Sequence, residues 1–320
     1  MILIISHPDD VHAQAVSAHL DQMGMPFHLL NLGRFPRAAR LVMRYGPASS
    51  QLSWSEDQDS WLDLDQVRAV WWRRPQPLCF EPGLKDADFA AAECNEALAG
   101  LWQAIPARWM NPPLQDEAAS RKSWQLRIAA DLGLNPPETL ITTCPRAARA
   151  FVAEVGDVVC KPFAGSLRHW RETRRVGPAE MAHLDQLRHA PAILQQRIPG
   201  EDVRVTVIGR RIFAATIDSS TGSYPDDFRM NQDVTITATS LPPAITAAIR
   251  TLMGQLGLIY GALDFRRQED GTLRFLEINP AGQFLFVEDQ TGQPIARTMA
   301  EELIAMAQGA NVHLPFAMSA

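Results

Sequence analysis

The sequence predicts an α/β protein of two or three modules, and three observations carry that expectation. Short apolar runs alternate with helical stretches from residue 1 to about residue 112, the pattern of a small open parallel sheet with helices on its faces. A proline-marked joint, Trp109-Met110-Asn111-Pro112-Pro113, follows that module and reads as a boundary. Near the other end, the apolar runs Ile259 to Phe265 and Leu273 to Ile278 flank Asp270-Gly271, which predicts an antiparallel hairpin with a two-residue type I′ turn. With 320 residues, 46% hydrophobic and 21% charged, the chain has enough apolar side chains for more than one core.

Taken in order, the first module begins with strand Ile2–Ile5. A helix near Val11–Met23, a turn at Gly24, strand Phe27–Leu30, strand Val67–Trp72 and a helix from about Asp86 to Ile105 follow. The opening MILIISHPDD has no basic segment or cleavage site, so it reads as a strand rather than a signal peptide. His7-Pro8-Asp9-Asp10 resembles the HPDD motif of zinc-dependent amide deacetylases. That family continues with Glu where this chain has Val11, and no later His-x-x-His pair is present. The alternative is that Asp9 or Asp10 caps the helix that follows. Trp71-Trp72-Arg73-Arg74-Pro75 ends a strand in a turn, and its arginines are either a clamp for carboxylates or a peptide or ordinary surface charges.

After the joint, Asp116 to Leu132 has helical spacing and stops at Gly133, and Asn135 to Thr142 reads as a turn into a strand. Asp157 to Lys161 is a further strand, with Lys161 at its end before the small-residue loop Phe163-Ala164-Gly165-Ser166. A lysine there can meet phosphate oxygens while loop amides approach closely, although the spacing is not that of a Walker A motif. From Ala192, AILQQRIPGEDVRVTVIG reads as two strands joined at Pro-Gly. Helix Pro243–Leu256 stops at Gly257, and a last helix runs from about Gly292 to Gln308. The expected modules are 1–112, 113–191 and 192–320.

In the hairpin, counting back from Asp270-Gly271 puts Asp264 opposite Glu277, with Asn279 two residues further along the same face. Opposed carboxylates are unfavourable, so something positive should lie between them. Two carboxylates and an amide oxygen suit a hard cation such as Mg²⁺, whose shell water and phosphates complete. The alternative is an amphipathic hairpin with its acids in solvent, but LRFLEIN is too apolar for a plain surface strand.

Asp264 followed by Glu277-Ile278-Asn279-Pro280 resembles the metal-binding end of the ATP-grasp fold. The continuation GQFLFVEDQTGQPIA is similar to ATP-grasp ribosomal peptide maturases, the ligases that make graspetides such as microviridins. The resemblance implies an N-terminal parallel α/β domain, a central lid and a C-terminal ATP-grasp domain with an antiparallel sheet. It implies ATP and Mg²⁺ as cofactors, with Asp264, Glu277 and Asn279 as metal ligands. Lys122, Lys161, Gly165, Ser166, Gln196, Arg197, Ile198, Asp202 and Arg204 would bind nucleotide, Lys161 and Arg204 also acting in catalysis. Gln196 departs from the Glu usual in the family. Arg73 and Arg74, and Asp227 and Arg229 in a D-W-R-like element with Phe228 for Trp, would bind substrate. The implied reaction phosphorylates Asp or Glu side chains of a ribosomal precursor peptide, leader plus core, and joins them to Ser, Thr or Lys as macrocyclic esters or amides. RimK-like ligases that add an amino acid or peptide to another molecule fit the same motifs. A cytoplasmic enzyme is expected, and the resemblance implies a homodimer.

A net charge of −6 argues against a general nucleic-acid binder, which needs a basic field. Cys79, Cys94, Cys144 and Cys160 have no paired spacing, so neither a disulfide framework nor a cysteine zinc site is indicated. No run approaches a membrane span.

Overall fold

A computed structural model describes residues 1–47, 49–57, 60–163, 173–218 and 234–309. Its first sheet is parallel, in the spatial order Phe27–Leu30, Ile2–Ile5, Ala69–Trp72, Arg108–Met110. Ile2–Ile5 is buried along its whole length, as a strand covered on both faces requires. Helices Val11–Gln22 and Ala87–Ala104 flank this sheet close to where apolar spacing put them. An additional antiparallel sheet, Arg40–Tyr45, Ser50–Ser55 and Leu62–Asp63, is inserted in the chain between strands Phe27–Leu30 and Ala69–Trp72. It buries Trp54 against Phe35 and Leu52, and its polar-rich strands carried no alternation strong enough to announce it.

Where one helix was expected over Asp116–Leu132 there are two, Pro113–Ala119 and Lys122–Asp131, broken at an extended Arg121. The break matters because Lys122 begins the second helix. Both helices contribute to a core with the C-terminal sheet, through Ala119, Ile128, Ala129, Val203, Leu263 and Phe275.

The central sheet is antiparallel, in the order Arg174–Arg175, Val158–Lys161, Ala192–Gln196, Thr139–Thr142. Strand Ala192–Gln196 is thus hydrogen-bonded into the central sheet, and the passage to the next sheet falls at residues 197–200. The third sheet has five antiparallel strands: Thr235–Thr239, Arg211–Asp218, Glu201–Ile208, Tyr260–Arg267 and Leu273–Asn279. Val203, Val205, Leu263, Phe265, Phe275 and Ile278 turn one face toward helix Pro243–Leu256. On the other face, Ala215, Ile217 and Tyr260 meet helix Ile295–Ala307 and the first module. The rest of that second face carries charges instead of a covering core.

No helix among the described residues is long and apolar enough to cross a membrane.

Candidate active site

The charged face is set by the hairpin Tyr260–Arg267 and Leu273–Asn279. Its loop has three residues rather than two: Gln268 donates to Thr272 and Gly271 N–H returns to Gln268, with Gly271 at φ 83. Only a residue without a Cβ takes that left-handed conformation without strain. Phe265 therefore faces Phe275, one residue out of the expected register, and a bulge at Leu276 shifts the pairing again so that Asp264 faces Glu277 and Ala262 faces Asn279. The bulge re-aims the strand. Phe275 and Ile278 both point to the core, while Arg274, Glu277 and Asn279 share the charged face.

Each acid on this face has a cation. Arg204 Nη1 donates to Asp264 Oδ1 at 2.8 Å from the directly opposed position on the neighbouring strand, and its Nη2 donates to Gln283 O at 2.8 Å. Burial works against the Arg204 guanidinium, but the adjacent Asp264 more than compensates and holds its pKa above the usual value. Arg204 also lies over the Phe286 ring, and its Nε is buried without a hydrogen-bond partner among the described residues. Lys122 Nζ forms a close ion pair with Glu277. Asp202 pairs with Arg266, its opposed neighbour, at 2.8 Å.

The positive partner expected between Asp264 and Glu277 is therefore supplied from two sides, by Arg204 and Lys122. Two carboxylates, the Asn279 amide oxygen and two adjacent cations fit a divalent cation and the phosphates it would share. The close approach at Gly282 supports the same fit: a Cβ there would sit 2.3 Å from Ala262 Cβ and 3.1 Å from Arg204 Nη2. The turn must stay bare for Arg204 to reach past it.

That turn, residues 280–283, is held by distant side chains. Asn111 donates to Tyr260 O and Pro280 O, at 2.9 and 3.2 Å, and accepts from the N–H groups of Ile259 and Tyr260, at 2.8 and 3.0 Å. Arg73 donates to the carbonyls of Ala281 and Gly282, and Tyr260 Oη donates to Gly282 O. Gln125 brackets Ile278, donating to its carbonyl and accepting from its N–H. Asn279 Oδ1 accepts from Ala281 N.

Arg73 is thus enclosed, its side chain 0% exposed. Its hydrogen bonds go to backbone carbonyls and Asp10, and its guanidinium lies over the Trp71 ring, so it is a strut for the turn rather than a clamp open to a carboxylate or a peptide. Asp10 accepts from Ser6 Oγ, His12 N and Arg73 Nε. Burial would raise its pKa, but Arg73 and these hydrogen bonds hold it below the usual carboxylate value. The HPDD stretch is therefore a helix cap joined to a buried ion pair. Among the described residues, no group of three or more His, Cys, Asp or Glu is placed to hold a metal. Arg74 is half-buried beside Arg73.

Lys161 donates to Gln195 Oε1 at 2.8 Å within the central sheet. Gln196 and Arg197 send their N–H groups to Glu138 O and Asp157 O, and Ile198 O accepts from Arg266 Nε at 3.1 Å. These residues lie where the central sheet passes into the C-terminal sheet, and the contacts of Ile198 with Arg266 and of Gln196 with Arg274 tie them to the charged face. Gly165, Ser166, Asp227 and Arg229 lie outside the described residues.

Four residues that sequence reasoning passed over belong to this constellation. Asn111 and Gln125 carry no local signal, since the backbone groups they hold beside the turn are more than a hundred residues away. Arg266 and Arg274 face each other across the hairpin, next to Asp202 and Gln196 respectively. The density of charge in these two strands, Asp264, Arg266 and Arg267 against Arg274 and Glu277, was the available signal, since facing like charges are unfavourable unless anions offset them.

Residues 1–117 match the family model of the MvdD pre-ATP grasp domain. Over its length the chain is similar to the macrocyclase MdnC from Microcystis aeruginosa MRC, bound with precursor peptide MdnA, at 27% identity and a TM-score of 0.84, covering 95% of this chain and 98% of that one. It is also similar to a Chryseobacterium gregarium RiPP-associated ATP-grasp ligase, in complex with ADP and a leader and core peptide: 27% identity, TM-score 0.85, 95% and 96% coverage. The ATP-grasp ligase PsnB, complexed with minimal precursor, Mg and ADP, aligns at 26% identity and a TM-score of 0.76, covering 96% and 97%. No curated protein matches.

Proposed function

From the premise that the chain is an ATP-grasp ligase with an MvdD-type pre-ATP-grasp domain, we propose that it macrocyclises a ribosomally made precursor peptide. ATP phosphorylates Asp or Glu side chains of the core, and Ser, Thr or Lys side chains of the same peptide displace the phosphate to form esters or amides. The observation that carries the reading is the convergence of Asp264, Glu277 and Asn279 with Arg204 and Lys122 at the end of one hairpin. The known ligases named above, with leader, core and precursor peptides bound, support the choice of substrate.

A carboxylate does not condense with an amine or alcohol until its departing oxygen is made a good leaving group. Arg204, fixed at both ends by Asp264 and Gln283, presents a rigid guanidinium to the transferring phosphoryl group. Lys122 neutralises charge from the other side, and Lys161 would approach the nucleotide from the central sheet. Asp264, Glu277 and Asn279 would hold Mg²⁺, which when bound offsets the charge of the phosphates as a Lewis acid. Gly165 and Ser166 would contact phosphates, Gln196 to Ile198 the base, Asp202 the ribose, and Arg74, Asp227 and Arg229 the peptide. A cytoplasmic homodimer completes the proposal.

The test is mass spectrometry of a candidate precursor, encoded beside this protein, after incubation with the protein, ATP and Mg²⁺. Loss of one water mass per link with release of ADP is the expected result. A gain of an amino-acid mass would move the assignment to intermolecular ligation, and an unchanged peptide without ADP would refute it.

A further inference from the structure

One face of the central sheet packs on helix Pro145–Val155 through Val158, Cys160, Leu194 and Leu140. Alternation along the strands puts Val159, Lys161, Gln195 and Thr139 on the other face. Gln195 lies directly opposite Thr139 on one neighbouring strand and Val159 on the other, and it is 3% exposed. Three side chains form a relay across this face. Lys161 Nζ donates to Gln195 Oε1 at 2.8 Å, Gln195 Nε2 donates to Thr139 Oγ1 at 2.9 Å, and Thr139 Oγ1 donates to Pro137 O at 2.8 Å.

The direction of the relay is fixed at both ends. A carbonyl oxygen only accepts, so the Thr139 proton is committed to Pro137 and a lone pair of its oxygen is left for the Gln195 amide nitrogen. An ammonium only donates, so Lys161 requires the amide oxygen. The Gln195 amide therefore has one orientation, since a flipped amide would set its NH2 group against the ammonium. The last acceptor is itself anchored. Phe275 N–H donates to Leu134 O at 3.1 Å and Gln196 N–H to Glu138 O at 2.8 Å, which ties the segment around Pro137 to the C-terminal hairpin and to the end of strand Ala192–Gln196. A lysine side chain is long and rotamer-rich, and ordering it costs entropy. A relay that holds its ammonium in place beforehand removes that cost from nucleotide binding.

We propose that Gln195 and Thr139 are positioning residues for Lys161, fixing its ammonium where nucleotide phosphates meet it. The proposal rests on the reading of Lys161 as a nucleotide-binding residue, and a double-mutant cycle separates the two. The full chain and its variants are titrated calorimetrically with ADP and Mg²⁺, with thermal melts to establish that each variant folds. Lys161→Met should weaken ADP binding by about tenfold or more, as loss of one charge-assisted contact does. Gln195→Met, close in volume and without the amide, should weaken it about threefold or more in the parent and have no further effect in the Lys161→Met background. Thr139→Val should lose affinity, and Thr139→Ser, which returns the hydroxyl, should recover it. Equal loss from Gln195→Met in both backgrounds would show a structural role and overturn the proposal, as would unchanged affinity in Gln195→Met beside a weakened Lys161→Met. Unchanged affinity in Lys161→Met would overturn the reading of Lys161 and the proposal with it.

Discussion

Replacing Asn111 by Asp keeps the side chain's shape and removes two donors. Asn111 is 1% exposed, and its amide nitrogen serves Tyr260 O and Pro280 O while its oxygen serves Ile259 N and Tyr260 N. In Asn111→Asp the accepting oxygen survives, but the second carboxylate oxygen faces two carbonyls with nothing to donate. Two buried acceptors losing their partners cost about 1–3 kcal/mol each, so the variant should be less stable by roughly 4 kcal/mol at pH 7. At roughly 2 °C per kcal/mol for a chain of this size, melting should fall by about 8 °C. The sign of the pH dependence is specific. Burial opposite carbonyl oxygens raises the folded-state pKa of the new carboxyl above its unfolded value. The variant's deficit is therefore smallest at low pH, where the acid is protonated and can donate, and grows as pH rises past the unfolded value. ATP turnover, measured well below the melting point, should also fall, because Pro280 follows Asn279. Thermal melts of parent and variant at pH 4.5 and 7.5, with ADP release at 25 °C, make the test. An unchanged melting temperature, or a deficit that shrinks as pH rises, would refute the assignment of Asn111 as the latch between the first module and the hairpin.

Glu277→Gln should leave melting within about 1 kcal/mol, since its Lys122 partner is partly exposed, yet lower ATP-dependent turnover by at least a hundredfold; retained turnover would sink the metal assignment. Arg204→Lys keeps the charge but cannot reach Asp264 and Gln283 together, so kcat should drop about a hundredfold, to be read from initial rates of ADP release. Gly282→Ala drives a Cβ against Ala262 and should cost about 1–3 kcal/mol while weakening nucleotide binding, measured by calorimetry. His12 is buried against Phe284, and burial, with Arg73 nearby, lowers its pKa to about 4. Because the unfolded chain binds a proton between about pH 6.5 and 4 where the folded one does not, the fold loses stability as pH falls through that window, by about 3 kcal/mol in all. His12→Leu should remove that slope in urea melts at pH 7 and pH 5.

The hairpin illustrates how far local spacing reaches. Asp264 was placed opposite Glu277 by assuming a two-residue turn and no bulge. The structure has a three-residue loop and a bulge at Leu276, two offsets of one residue that cancel at Asp264 and Glu277. The bulge was legible: in Leu273, Phe275, Leu276 and Ile278 the apolar residues break their alternation at Leu276, which one bulged residue accounts for. Arg73 was equally conspicuous in the sequence, but its inward position was not, since an arginine at a strand end has the same local signature whether it meets solvent or a carbonyl two hundred residues away.

Residue order by itself determined the alternating strands and helices of the first module, the hairpin, and the side-chain oxygens of Asp264, Glu277 and Asn279 on one of its faces. These follow from side-chain periods and turn chemistry acting over a few residues. Only the tertiary structure decided that Lys122 and Arg204 would be the cations beside those oxygens, and that Asn111, Arg73 and Gln125 would fix the turn after them. Such contacts join elements whose separation in sequence has no period, so they come into being only when packing brings the elements together.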